Sequence, residues 1–334
     1  MHVPEPKISI ALCTCNGEAW LQPQLESFLS QSRQPDEVVA CDDCSTDGTV
    51  ALLRRFAERA PFRLRVEVNQ RRLGATQNFA KAIGLCEGGL IFLSDQDDVW
   101  LPRKVESLAR ALEAAPQAGI SFCDGEVCSE LMQPLGYTLW QAARFDAVER
   151  EKVAAGRAHE VFLRHSVAHG ATLAFRAELR RLALPIPAIP YCGHDYWIAL
   201  LASAVSEVIL VPEPLNRYRL HGRNVTGIRR RSLRDQIRLG RELIRSNRAS
   251  HEAAMIQAAL DRLEGLPAIR LEGAPARPGV MEQMRQKLQH LRRRERMSPR
   301  LIGRIADVAG EAFSGRYSRF AMGWRSIAQD LFLR

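Results

Sequence analysis

The stretch Lys7–Ser32, "KISIALCTCNGEAWLQPQLESFLSQS", changes period part-way along. Ile8, Ile10 and Leu12 alternate, which is the two-residue period of a strand, whereas Leu21, Leu25, Phe28 and Leu29 recur at helical spacing. A polar loop, "CTCNGEAW", joins the two patterns. The alternation continues downstream. "DEVVAC" and "FRLRVEV" read as short strands, and "STDGTVALLRRFAERA" between them as a helix with Ser45 at its N-cap and an apolar stripe at Val50, Leu53 and Phe56. "TQNFAKAIGLCEGG" is a helix ended by Gly88 and Gly89, and "LIFL" is the next strand. Regular β-α-β-α order with short loops predicts an α/β fold, a mostly parallel sheet covered by helices. Further strands are expected at "AGISFC", "ATLAF", "EVILVP" and "LNRYRL", with a helix at "VESLARALEAA". From Ile228 onward the pattern is helical and rich in arginine.

Composition sets the outer limits. The chain has 334 residues, 46% apolar and 25% charged, which is ordinary for a soluble globular protein. No run approaches the ~18 consecutive apolar residues that a bilayer span requires. "MHVPEPKISIAL" has neither a basic leader nor a cleavage site, so no signal peptide is read and a cytoplasmic location is expected. The eight cysteines fit that compartment as small apolar residues. Cys13, Cys15, Cys41 and Cys44 can be written as a zinc pattern, but the second pair flanks aspartates with other work, and zinc is set aside. The net charge of +9 is uneven. Residues 228–334 hold 23 Lys and Arg against 11 Asp and Glu, whereas residues 1–227 hold 24 against 27. That split predicts two regions with different jobs, residues 1–227 and a basic helical extension over 228–334.

Open α/β sheets bind ligands outside the carboxyl ends of their strands. Three loops at such ends are unusually polar: "CTCNGEAW", "CDDCSTDGT" and "SDQDDVW". Neither G-x-G-x-x-G nor a phosphate loop is present. Carboxylates stand where glycines would cradle phosphate, and they would repel phosphate unless a divalent cation lay between. Asp95-Gln96-Asp97 at a strand end is an economical clamp for a metal–diphosphate.

In order and spacing, "CTCNG", "CDDCSTDGT", "NQRRLGATQNFAKAI" and "LSDQDDVWLP" resemble the family 2 glycosyltransferases. The resemblance continues in "HGATLAFRAEL", "CGHDYW" and "YRLHGRNVTG" and covers about residues 7–227. It implies a GT-A fold and an inverting, nucleotide-sugar-dependent enzyme assisted by Mg2+ or Mn2+. The wording of "SDQDDVWLP" and "HGRNVTG" is similar to bacterial rhamnosyltransferase-like members that build surface polysaccharide. Carried over by position, Asp43 meets the pyrimidine ring, with Thr14, Asn16 and Asp42 near the nucleoside. Asp95 meets ribose or sugar, Gly170 belongs to the donor loop, and Asp97 and His221 hold the metal. Asp195 is the implied general base, with His194 and Trp197 toward the acceptor. Two positions depart from the family pattern: Cys15 replaces a tyrosine, and His194 replaces an acidic residue.

The implied donor is a dTDP-, UDP- or GDP-sugar and the acceptor a glycan or lipid-linked glycan. Two rival readings fit the residues less well. A sugar nucleotidyltransferase would be expected to carry a basic phosphate loop after the first strand, and Asp97 with Asp195 argue against a catalytically silent assembly protein. In the tail, Tyr317, Phe320, Trp324, Ile327 and Leu331 draw one helical stripe among arginines, as Leu233, Ile237 and Ile244 do earlier. Such helices suit peripheral contact with an anionic membrane surface, or packing on the protein or another subunit. Nucleic acid is not expected, because no recognition motif or stacking platform accompanies the charge.

Overall fold

The structure is a computed structural model and describes residues 5–224, 247–266, 271, 279–298 and 300–333. The first half follows the predicted alternation: β1 (Ile8–Thr14), α1 (Glu18–Leu29), β2 (Glu37–Asp42), α2 (Thr49–Ala57), β3 (Arg63–Val68), α3 (Ala75–Leu85) and β4 (Leu90–Asp95). There follow β5 (Val99–Trp100), α4 (Lys104–Glu113), β6 (Ala118–Cys128) and β7 (Pro134–Thr138). Short helices α5 (Leu139–Ala143), α6 (Ala147–Ala154) and α7 (Ala158–Phe162) precede β8 (Leu173–Arg176), α8 (Arg180–Ala183), α9 (His194–Val205) and β9 (Glu207–Arg219). One sheet runs β3-β2-β1-β4-β8-β6-β9-β5, with β7 on β6. Strands β1 to β4 are mutually parallel, β6 and β9 pair in parallel, and β8 is antiparallel to both its neighbours.

Every residue of β1 and β2 is buried, as expected for strands covered on both faces. Ile8, Ile10 and Leu12 pack with Leu25, Phe28 and Leu53 on one side. Ala11 and Cys13 belong to the other side, with Phe79, Ile83 and Leu173. The sheet is thus the middle layer, and its parallel strands present their carboxyl ends along one edge.

Two local readings differ. Ser45 does not cap α2, which starts at Thr49 behind Gly48; its amide and hydroxyl instead donate to Asp42. Helices α1 and α2 cap each other, Glu18 N–H donating to Asp47 Oδ2 and Gly48 N–H to Glu18 Oε2. "EVILVP" and "LNRYRL" are one strand, β9, because Pro212 and Glu213 fall where the β6–β9 register shifts. Proline lacks the ladder donor and is tolerated at such a bulge.

The tail is helical where described: α10 (Arg248–Gly265), α11 (Val280–Glu295), α12 (Leu301–Phe313), α13 (Arg316–Phe320) and α14 (Trp324–Phe332). Met255, Ile256, Met284 and Leu291 of α10 and α11 join the main core. The boundary at 227/228 and the stripe of Leu233, Ile237 and Ile244 lie outside the described residues. The second stripe is not one helix. It breaks before Gly323, whose φ of +58° lies outside the helical region. Tyr317 and Phe320 are buried, Ile327 and Leu331 are packed against a small core, and Trp324 faces out.

Candidate active site

Parallel register aligns the strand ends: Thr14 pairs with Asp42 and Cys13 with Asp95. The loops that follow β1, β2 and β4 therefore meet above one edge, joined by the segment after β9. Between them lies a cleft of about 790 Å3, lined by Thr14, Asn16, Asp43, Asp95, Asp97 and His221 among others. Six of the residues singled out in the sequence thus converge.

Asp43 accepts from Asn69 Nδ2 at 3.0 Å, Leu73 N–H at 2.7 Å and Gly74 N–H at 2.9 Å. Burial opposes its charge. The bonds from Leu73, Asn69 and Gly74, with Arg72 nearby, outweigh burial and hold the carboxyl below its ordinary value. Asp43 is a fixed anion on the cleft wall. Asp42 is different: it is fully buried, accepts from Thr14 Oγ1 at 2.8 Å, and does not line the cleft. It braces the turn by holding Thr14 and Ser45 together. Asn16 sits at φ +49°, where asparagine is tolerated, and its Oδ1 accepts from Thr46 N–H at 2.8 Å.

On the opposite wall, His221 Nε2 is 2.8 Å from Asp97 Oδ2. The imidazole stacks on Trp20, ring centroids 3.9 Å apart and planes within 12°. Asn224 holds the loop, accepting from His221 N–H at 2.6 Å and donating to the Arg219 carbonyl at 3.1 Å. Arg223 N–H donates to His221 Nδ1 at 3.1 Å, so Nδ1 is the acceptor and the ring proton sits on Nε2, toward Asp97. Asp98 is buried and accepts from Asn216 Nδ2 at 2.9 Å and Arg219 N–H at 3.2 Å, tying the acidic loop to β9. Burial raises Asp95 well above the carboxylate range, with the Asp97, Asp98 and Asp195 charges adding to it.

Among the described residues no group of three His, Cys, Asp or Glu side chains is arranged to hold a metal. The donor chemistry nevertheless fits a hard divalent cation completed by diphosphate oxygens. Asp97 offers a carboxylate on the cleft wall. His221 would have to move its proton to Nδ1, giving up the Arg223 amide, before Nε2 could ligate.

Asp195 stands in the first turn of α9 and accepts from Gly170 N–H at 3.1 Å through Oδ2. His194 turns away from the cleft and stacks on Phe79 at 3.7 Å between centroids, and burial lowers its pKa. Trp197 is fully buried and donates from Nε1 to the Ala183 carbonyl at 2.8 Å. Both pack in the structure, His194 against the Phe79 ring and Trp197 through its bond to the Ala183 carbonyl.

Sequence reading passed over Gln96, Arg72 and Arg223. Gln96 links two loops, accepting from Cys15 N–H at 2.8 Å and donating to the Cys15 carbonyl at 3.1 Å. Arg72 and Arg223 line the cleft and offer the cations that a diphosphate would meet. "NQRRLG" and "HGRN" contained them, but surface arginines are too common for sequence alone to select these two.

Residues 9–129 match the sequence family described as Glycosyl transferase family 2. The putative glycosyltransferase EpsE of Bacillus subtilis is 34% identical over 110 residues, 32% of this chain and 39% of that one. The dTDP-rhamnosyl transferase RfbG of Shigella flexneri is 31% identical over 100 residues, 29% of this chain and 35% of that one. The matches thus span less than two fifths of those relatives' lengths. By structure, residues 1–349 of S. aureus TarS, solved in complex with UDP, align over 98% of this chain and 90% of that one, with TM-score 0.53 and 14% identity. That likeness concerns the fold, which is the GT-A architecture the motifs implied. The segment supplying β1 to β4 and their acidic loops, residues 9–129, is a glycosyl transferase family 2 domain.

Proposed function

We propose that the protein is an inverting glycosyltransferase that moves a sugar from a nucleoside-diphosphate donor to a saccharide or lipid-linked acceptor in surface polysaccharide synthesis. The observation that carries this is the convergence of Asp43, Asp95, Asp97 and His221 in one cleft at the strand ends. Asp43, on the cleft wall, would accept from a pyrimidine N–H, and Arg72 and Arg223 would meet phosphate oxygens. A divalent cation at Asp97, Mg2+ or Mn2+, would neutralise charge on the departing nucleoside diphosphate. Asp195 acts as general base on the acceptor hydroxyl, a role typically worth ~10²–10⁴-fold in rate. Its second oxygen is oriented by the Gly170 amide. The similarity to a dTDP-rhamnosyl transferase favours dTDP-rhamnose among donors.

The test is a thermal-shift panel of dTDP-, UDP- and GDP-sugars with and without Mn2+, followed by transfer assays on the stabilising donor. A metal-dependent shift with one nucleotide class is expected, and Asp195→Asn should bind that donor as tightly while losing at least ~100-fold in turnover. Stabilisation by no donor, or full turnover in Asp195→Asn, would refute the reading.

A further inference from the structure

Helices α12 and α14 are built inside out. On α12 the buried positions are Arg304, Val308 and Glu311, while Ile302 is 86% and Phe313 92% exposed, with Leu301 and Ile305 also exposed. On α14 the buried positions are Ser326 and Asp330, while Trp324 is 72% and Phe332 77% exposed. The inward carboxylates are paired. Glu311 bonds to His290 Nδ1 at 2.7 Å and Arg293 at 2.6 Å. Asp330 takes Arg294 at 2.6 and 3.1 Å and the Tyr317 hydroxyl at 2.8 Å. With the polar faces held inward by these bonds, the apolar faces of two helices that pack on each other point outward. A helix in water normally does the opposite.

What covers these faces is decided by charge. Residues 279–333 carry eleven Lys and Arg against five Asp and Glu. Arg296, Arg300, Arg319 and Arg325 are exposed, and the Arg325 guanidinium lies 5.4 Å from the Trp324 ring. A second copy would bring the same excess of positive charge against itself. An anionic bilayer presents the complementary charge above an apolar layer, and Trp with Arg suits its interface. Among the described residues no helix is long and apolar enough to cross a membrane, so contact would be lateral.

We propose that the outward faces of α12 and α14 dock the protein on an anionic bilayer, Ile302, Phe313, Trp324 and Phe332 entering the headgroup–acyl boundary. Of the Tyr317–Leu331 stripe only Trp324 belongs to this face, the other four residues packing inward.

The experiment is flotation of the full chain with phosphatidylcholine vesicles, with and without phosphatidylglycerol. Wild type should float with the anionic vesicles alone, and Ile302→Ser/Phe313→Ser/Trp324→Ser should partition at least ~10-fold less. Because the three side chains are exposed, an unchanged melting temperature is expected and certifies the variant's fold. Failure of wild type to float, equal flotation of the variant, or a solution dimer that the variant dissociates in light scattering would each overturn the proposal, the last by assigning the face to a second copy.

Discussion

Gly170 lacks a side chain because His194 occupies the space. A Cβ at this position would sit 2.7 Å from His194 Nε2 and 3.6 Å from Asp195 Cβ. The imidazole cannot retreat, since Phe79 is stacked against it. Gly170→Ala should therefore destabilise the protein by about 1–3 kcal/mol, the usual range for overpacking, and displace Asp195 from the Gly170 amide. Thermal denaturation and transfer assays would show a lowered melting temperature with kcat falling more than KM rises. Adding His194→Ala should restore stability. If the single variant melts like wild type, the contact is not the constraint. At this scale the types of the cleft residues are legible in sequence, because carboxylates and a histidine at strand ends have few bland uses together. Their orientations are not. Asp42 and Asp43 are neighbours, yet one braces a turn and the other lines the cleft, a difference set by which backbone amides each carboxylate meets.

The acidic loop is held as an element by Lys104, the first residue of α4. It is fully buried, its ammonium 3.7 Å from the Trp100 ring centroid and 3.2 Å from Asn216 Oδ1, with a further bond to the Ala171 carbonyl. Burial lowers its pKa from 10.5 to about 7 despite the Cys123, Asp98 and Asp95 charges. The folded value lies below the unfolded one, so between about pH 7 and 10.5 the unfolded chain holds the extra proton. The lysine's contribution to stability therefore rises with pH across that window. Denaturant titrations should show wild type gaining on Lys104→Met from pH 7 to 10, by an amount on the order of a few kcal/mol. A constant difference would mean the lysine titrates normally. Period made β1 to β4 readable in advance, because two-residue alternation and short apolar runs bounded by polar loops both mark strands. It misplaced the α2 cap and split β9, where distant partners decide: Asp42 for Ser45, and the β6 ladder for a proline-bearing strand.

Across the whole molecule, the sheet edge brings together residues as far apart as Thr14 and His221, and that convergence follows from parallel topology. Motif order was enough to anticipate it. The tail was harder to read, because helical periodicity marks an apolar stripe without saying which way it faces. Buried ion pairs at Glu311 and Asp330 orient the C-terminal helices, and those partners come from α11 and α13. The central claim is that the cleft binds a nucleoside diphosphate through a cation held at Asp97. Calorimetric titration of dTDP, UDP and GDP into wild type and Asp97→Ala, each with and without Mn2+, tests it most directly. At least one nucleotide should bind wild type and bind tighter with Mn2+, and Asp97→Ala should lose that metal-dependent gain. Metal-dependent binding undiminished in Asp97→Ala would contradict it.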